Sequence, residues 1–168
     1  MGKFPYFSKR KDFLICVDSD GCVMDIMQEE KRPFEGVRRA LARAHRYADV
    51  VIVSDANLKT VLDEWDLHGM LEHTDIVLAH DIGGKAYCIG ELLKMGYAKN
   101  RVLMCGDAQD DLDAAHENDV LFYPILAKHE KESWEEFVSE GFERLLDGTY
   151  AGEYQQRKIE EFRANLDG

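Results

Sequence analysis

Five short runs of this chain, residues 13–17, 50–53, 76–79, 102–105 and 120–123, are almost wholly apolar. A strand with one face in water alternates polar and apolar side chains. These runs do not alternate, so they read as strands covered on both faces of a parallel sheet. Parallel neighbours need crossover connections, and the segments between the runs can supply them. Phe34, Val37, Leu41, Ala44 and Ala48 recur at three- and four-residue spacing, as do Leu58, Val61, Leu62 and Trp65, each set marking one buried helix face. Ala86, Ile89 and Leu93 make a third stripe, and 111–118 is expected to be a short fourth helix. This order predicts a doubly wound α/β fold: a mostly parallel five-stranded sheet with helices on both faces.

The pattern changes after residue 123, and a helical segment over 132–166 is expected to pack on that core. Ser133-Trp134-Glu135-Glu136 has the spacing of a capping box, opening a helix with Trp134, Phe137, Val138, Phe142 and Leu145 on one face. Gly148 is expected to end it, and 150–166 to form a second, more polar helix. No repeat, low-complexity tract or linker divides the 168 residues, so 1–168 reads as one domain with its core motifs between 13 and 123.

With 21 Lys and Arg against 33 Asp and Glu, the net charge is −12. That excludes general nucleic-acid binding, which depends on cations neutralising phosphates. The longest apolar run, 120–127, is too short to span a bilayer and contains Pro124, and the first residues carry no signal-peptide pattern. Cys16, Cys22, Cys88 and Cys105 form no Cys-x-x-Cys pair, and two of them sit in strand-like runs. They read as buried free thiols, and the protein as cytoplasmic and off the membrane. An acidic chain can still accept an anionic substrate where carboxylates hold a divalent cation.

Ligands of open α/β sheets bind beyond the carboxyl ends of the strands, so the residues following each run matter most. They are Asp18-Ser19-Asp20-Gly21, Ser54-Asp55-Ala56-Asn57, His80 through Lys85, and Gly106-Asp107 through Asp111. Taken singly, each has an ordinary explanation. Ser54 and Asn57 suit helix caps, Lys85 suits a surface lysine, and acids two apart recur across this chain. Gly83-Gly84-Lys85 lacks P-loop spacing. Asp110 reads as a helix-start acid or one that backs the residues of the site, Cys22 as a packing thiol, and the six histidines, His80 included, show no metal-ligand spacing.

Taken in order, the four strand ends resemble the haloacid dehalogenase-like (HAD) superfamily of phosphatases. Leu14 through Gly21 is similar to its first motif, an apolar strand ending in Asp-x-Asp-Gly. Ser54 fits the second, Lys85 the third, and Gly106-Asp107 through Asp111 the fourth, Gly-Asp-x-x-x-Asp. The resemblance implies Mg2+-dependent hydrolysis of phosphomonoesters through an aspartyl-phosphate. In it Asp18 is the nucleophile, and Asp20 protonates the leaving oxygen and then activates water. Mg2+ is held by Asp18, Asp107 and the Asp20 carbonyl, with Asp111 orienting water or metal. Ser54, Lys85 and Asn57 bind the phosphate, and Gly21 turns the chain after the strand.

Members of this family commonly carry a cap domain inserted between these motifs. Here 36 residues separate Asp18 from Ser54, and 31 separate Ser54 from Lys85. One helix and one strand consume most of each gap, leaving about Cys22 to Arg32 for a small flap. Some stretches, such as 106–115 and 132–134, resemble relatives with a long insert, so the chain reads as a cap-lacking or cap-deleted form. An open site suits a phosphate on a large molecule, or a partner or second copy of the chain as cover. A receiver domain fits poorly, since no lysine directly follows 120–123 and the third strand precedes His80-Asp81. A rival from another class is a HAD-like scaffold of little activity that binds a metal or a protein through its C-terminal aromatic stripe.

Overall fold

The computed structural model describes residues 3–168. Strand β1 (Phe13–Val17) leads into a two-stranded antiparallel flap, β2 (Met24–Asp25) and β3 (Arg32–Pro33), then α1 (Val37–Tyr47) and β4 (Ala48–Val53). Next come α2 (Leu58–Leu67), β5 (Ile76–Leu78), α3 (Lys85–Leu93), β6 (Val102–Gly106), α4 (Gln109–Glu117) and β7 (Leu121–Pro124). The chain ends in α5 (Glu130–Glu136), a π-helical turn (Phe137–Gly141), α6 (Phe142–Asp147) and α7 (Glu153–Asp167).

The main sheet is parallel throughout, in the order β5-β4-β1-β6-β7. Its strands are apolar end to end because both faces are covered, and successive side chains serve opposite cores. Ile15, Val17, Val50, Ile52, Leu103, Cys105 and Tyr123 meet α1, α2, α5 and α6 through residues such as Leu41, Trp65, Trp134 and Phe142. Leu14, Cys16, Val51, Val53, Met104 and Phe122 meet α3, α4 and the far half of α7 through Ile89, Leu112 and Phe162. The chain leaves β1 toward β4 on one side and later returns to β6 on the other. The gap between β1 and β6 is therefore the switch point where such sheets bind ligands.

The five expected strands all form, with ends displaced by a residue or two. Between Asp18 and Ser54 lie only the flap, α1 and β4, and between Ser54 and Lys85 only α2, a short 3-10 turn and β5. No cap domain is present among the described residues. The reading of Ser133 as a cap needs correction. α5 begins three residues earlier, and Ser133 Oγ donates to His129 O (2.8 Å) while accepting from Leu126 N (3.0 Å). A serine bonding back to the carbonyl four residues earlier belongs inside a helix and mimics the cap only in sequence. Gly148 ends α6 at φ 81°, in the left-handed region. The aromatic stripe is core: Trp134, Phe137, Phe142, Tyr150 and Tyr154 are buried, so it lends no support to an interaction surface.

Candidate active site

Asp18 leaves β1 at its carboxyl end with its backbone N–H still bonded to Cys105 O on β6 (3.2 Å). The loop beyond is wound tightly: Ser19 O accepts the amides of Cys22, Val23 and Met24, and Trp65 Nε1 donates to Ser19 Oγ (2.9 Å). Gly21 permits that turn at φ 77°, and a methyl group there would lie 2.3 Å from Asp107 Oδ2. Gly106 faces the same limit, since a Cβ would stand 2.3 Å from the Asp111 carboxylate. The two glycines leave room for the Asp107 and Asp111 carboxylates to close in.

Asp111, on the first turn of α4, accepts from the amides of Asp107 (3.1 Å) and Ala108 (3.2 Å) through Oδ2. It thus caps the helix, and its charge suits that terminus. Its Oδ1 lies 2.8 Å from Lys85 Nζ, an ion pair without hydrogen-bond alignment. Lys85, the first residue of α3, also donates to Asp18 Oδ2 (3.0 Å) and Asp110 Oδ2 (3.0 Å), with Asp55 Oδ2 at 3.4 Å. One buried ammonium thus gathers carboxylates from three strand ends.

The site holds more negative charge than that lysine balances. Burial, and then the charge of Asp111, raise the Asp18 carboxyl to about 8 against the opposing pull of Lys85. Burial and Asp111 likewise raise Asp107 to about 6, and burial raises Asp111 itself. For Lys85 burial pulls the other way, but Asp18 and Asp111 outweigh it and the ammonium stays charged. One oxygen each from Asp18, Asp107 and Asp111 lie within 4.8 Å of one another. An all-oxygen, anionic donor set of this kind fits a hard divalent cation such as Mg2+, which would relieve the repulsion that raises these groups.

Not every expected residue joins this cluster. The Asp20 carboxylate pairs with Lys31, at 3.2 and 3.3 Å, and is not among the clustered oxygens. Ser54 is buried, and its Oγ accepts from Ala56 N (3.1 Å). Asn57 is exposed and caps α2, accepting from Lys59 N (2.9 Å) and Thr60 N (3.4 Å); that capping role was the alternative its position left open. Cys22 is a buried thiol facing Cys105 O (3.6 Å), raised by burial and nearby acids. All four cysteines are free. Sequence reasoning missed Lys31 and the engagement of Asp55 with Lys85, because flap and loop positions carry no periodicity to place them, while Asp110 backs the site through Lys85 as one of its two readings had it.

Neither a family-model match nor a curated relative was found for the sequence. Among solved structures it is similar to a HAD-superfamily hydrolase, subfamily IA, variant 1, from Geobacter sulfurreducens PCA. The TM-score is 0.57 at 13% identity, over 67% of this chain and 88% of that one. The fold is HAD-like. With that frame, Asp18, Lys85 and Asp107 occupy one edge of a HAD-like sheet, at its switch point. No helix among the described residues is long and apolar enough to cross a membrane.

Proposed function

We propose that the protein is a Mg2+-dependent phosphomonoester hydrolase working through an aspartyl-phosphate. One observation carries this reading: the Asp18 carboxylate, at the tip of the central strand, meets a buried lysine at 3.0 Å beside two further carboxylates in ligand range. Mg2+ held by Asp18, Asp107 and Asp111 would supply the positive charge that lets a carboxylate approach a phosphate dianion.

An Asp18 oxygen attacks phosphorus, the ester P–O bond breaks, and its electron pair leaves on the alcohol oxygen, which takes a proton from Asp20. In the second half Asp20 accepts a proton from water as that water attacks phosphorus. The acyl-phosphate P–O bond breaks, inorganic phosphate leaves and Asp18 is restored. Lys85 opposes charge on the transferring group, and the Ser54 hydroxyl donates to it. Asn57 serves by setting α2 beneath Ser54 rather than by touching phosphate. The absence of a cap among the described residues supports substrates whose phosphate is carried on a large molecule. Hydrolysis of an aryl phosphate with and without Mg2+, by wild type and Asp18→Asn, tests the assignment. Turnover that survives the substitution would refute it.

A further inference from the structure

We propose that Lys31 is the positioning residue for Asp20, fixing its carboxylate where the flap meets the core and latching the flap onto α2. The kinetic half of this inference rests on the phosphatase reading, and the latch does not. Lys31 Nζ contacts both Asp20 oxygens, at 3.2 and 3.3 Å, so rotation of that carboxylate breaks at least one contact. The same ammonium lies 3.1 Å from Glu64 Oε1 on α2. The Lys31 carbonyl is held as well: it can only accept, so His68 Nε2, at 2.8 Å, is the donor. Arg38 of α1 in turn binds the carbonyls of His68 (2.6 Å) and Gly69 (3.3 Å).

Asp20 bridges to Met24 at the root of the flap, and among the described residues Lys31 is the one cation paired with its carboxylate. A lone ion pair this exposed would hold little. Here one residue is fastened at both its side chain and its carbonyl, to groups from two other elements. Asp20 must present an oxygen toward the same place in both half-reactions, first to give a proton and then to take one. A carboxylate free to rotate performs neither step well. Lys31 makes and breaks no bond itself.

The need for protonation depends on the alcohol released. An acidic phenol leaves almost unaided, whereas an alkoxide does not. Lys31→Met should therefore lower kcat about tenfold or more on alkyl phosphates while aryl phosphates change by less than about threefold, with KM steady on both. Lys31→Arg should restore most of the loss. Amide hydrogen exchange over residues 21–33 should quicken by about fivefold in Lys31→Met and in Glu64→Gln, the scale of a small ion-pair network. Equal losses on both ester classes, or a rise in KM alone, would overturn the positioning role. Unchanged flap exchange in both variants would overturn the latch, whether or not the wild type is active. A wild type inactive on every ester with flap exchange still quickened would remove the phosphatase reading, and the positioning role with it, leaving the latch standing.

Discussion

At the N-terminal end of the sheet Asp49 is fully buried, as Asp111 is at the opposite end, yet the two carboxylates meet different company. Asp49 Oδ2 accepts from Tyr97 Oη (2.6 Å), Arg10 N (2.9 Å) and Lys11 N (3.1 Å). Those bonds clip the segment preceding β1 to the underside of the sheet. Asp111 has Asp18, Asp107 and Asp110 for neighbours and shares a single lysine with Asp18 and Asp110. One end of the sheet meets its buried acid with three donors on a single oxygen, the other oxygen being without a partner among the described residues, and the other end crowds acids together. Burial of a carboxylate does not by itself mark the candidate site in this molecule; what sets that site apart is its excess of like charge.

The largest effect that would sharpen the contrast is at Asp18. Asp18→Asn should lower phosphatase turnover about a thousandfold or more while leaving the urea midpoint at pH 7 unchanged or raised, because the amide escapes the burial and repulsion that raise the Asp18 carboxyl. Asp49→Ala should do the reverse. It strands the Tyr97 hydroxyl and two amides, so unfolding stability should fall by about 2–4 kcal/mol, with turnover per folded molecule intact. Equal behaviour of the two variants would erase the distinction.

The metal separates the two ends at the next level. Mg2+ at about a hundred times its dissociation constant should raise the melting temperature of wild type by about 5–10 °C, and the same rise should appear in Asp49→Ala but not in Asp107→Asn. Without metal, the raised site carboxyls make the folded state bind protons that the unfolded chain has released. Stability should fall as pH rises from the ordinary Asp value of 3.8 toward the Asp18 value of about 8. Mg2+ should flatten that slope in urea titrations.

The smallest expected effect lies outside both acid sites, at Glu136. Burial alone would raise this carboxyl, but hydrogen bonds from Lys158 and Tyr154 outweigh it and hold it below its ordinary value of 4.5. Its contribution is present above 4.5 and lost as pH falls through the lowered value, opposite in sign to the site. Glu136→Gln should therefore flatten only the acid limb of the stability profile.

Much of this arrangement is legible in the sequence for physical reasons. Strands buried on both faces leave unbroken apolar runs, and the residue that ends such a run lands on the ligand-binding edge. That places Asp18, Ser54 and Asp107 without any knowledge of contacts. Lys85 is legible only through its position in the series. Lys31 is not legible, because a flap has neither a strand's nor a helix's period. Ser133 misleads because a hydroxyl can bond forward to an amide or back to a carbonyl, and the letters are the same. Asp49 hides because its donors lie 38 and more residues away.

The π turn between α5 and α6 has a consequence for chain length. Phe142 N bonds to Phe137 O, five residues back, and the two rings stack with centroids 5.5 Å apart. The turn holds one residue more than an α-helix would need, and it absorbs that surplus. Deleting a single residue there, Ser139 for instance, would let the turn close to α-helical spacing and leave α6 in phase with the core, since only the surplus is lost. Phe142 and Leu145 would then keep the face they fill, whereas a deletion within α6 itself, with no surplus to absorb it, would turn the residues beyond it by about 100°. The flap between Asp25 and Arg32 has no such phase to keep, so a change of length there leaves the core untouched.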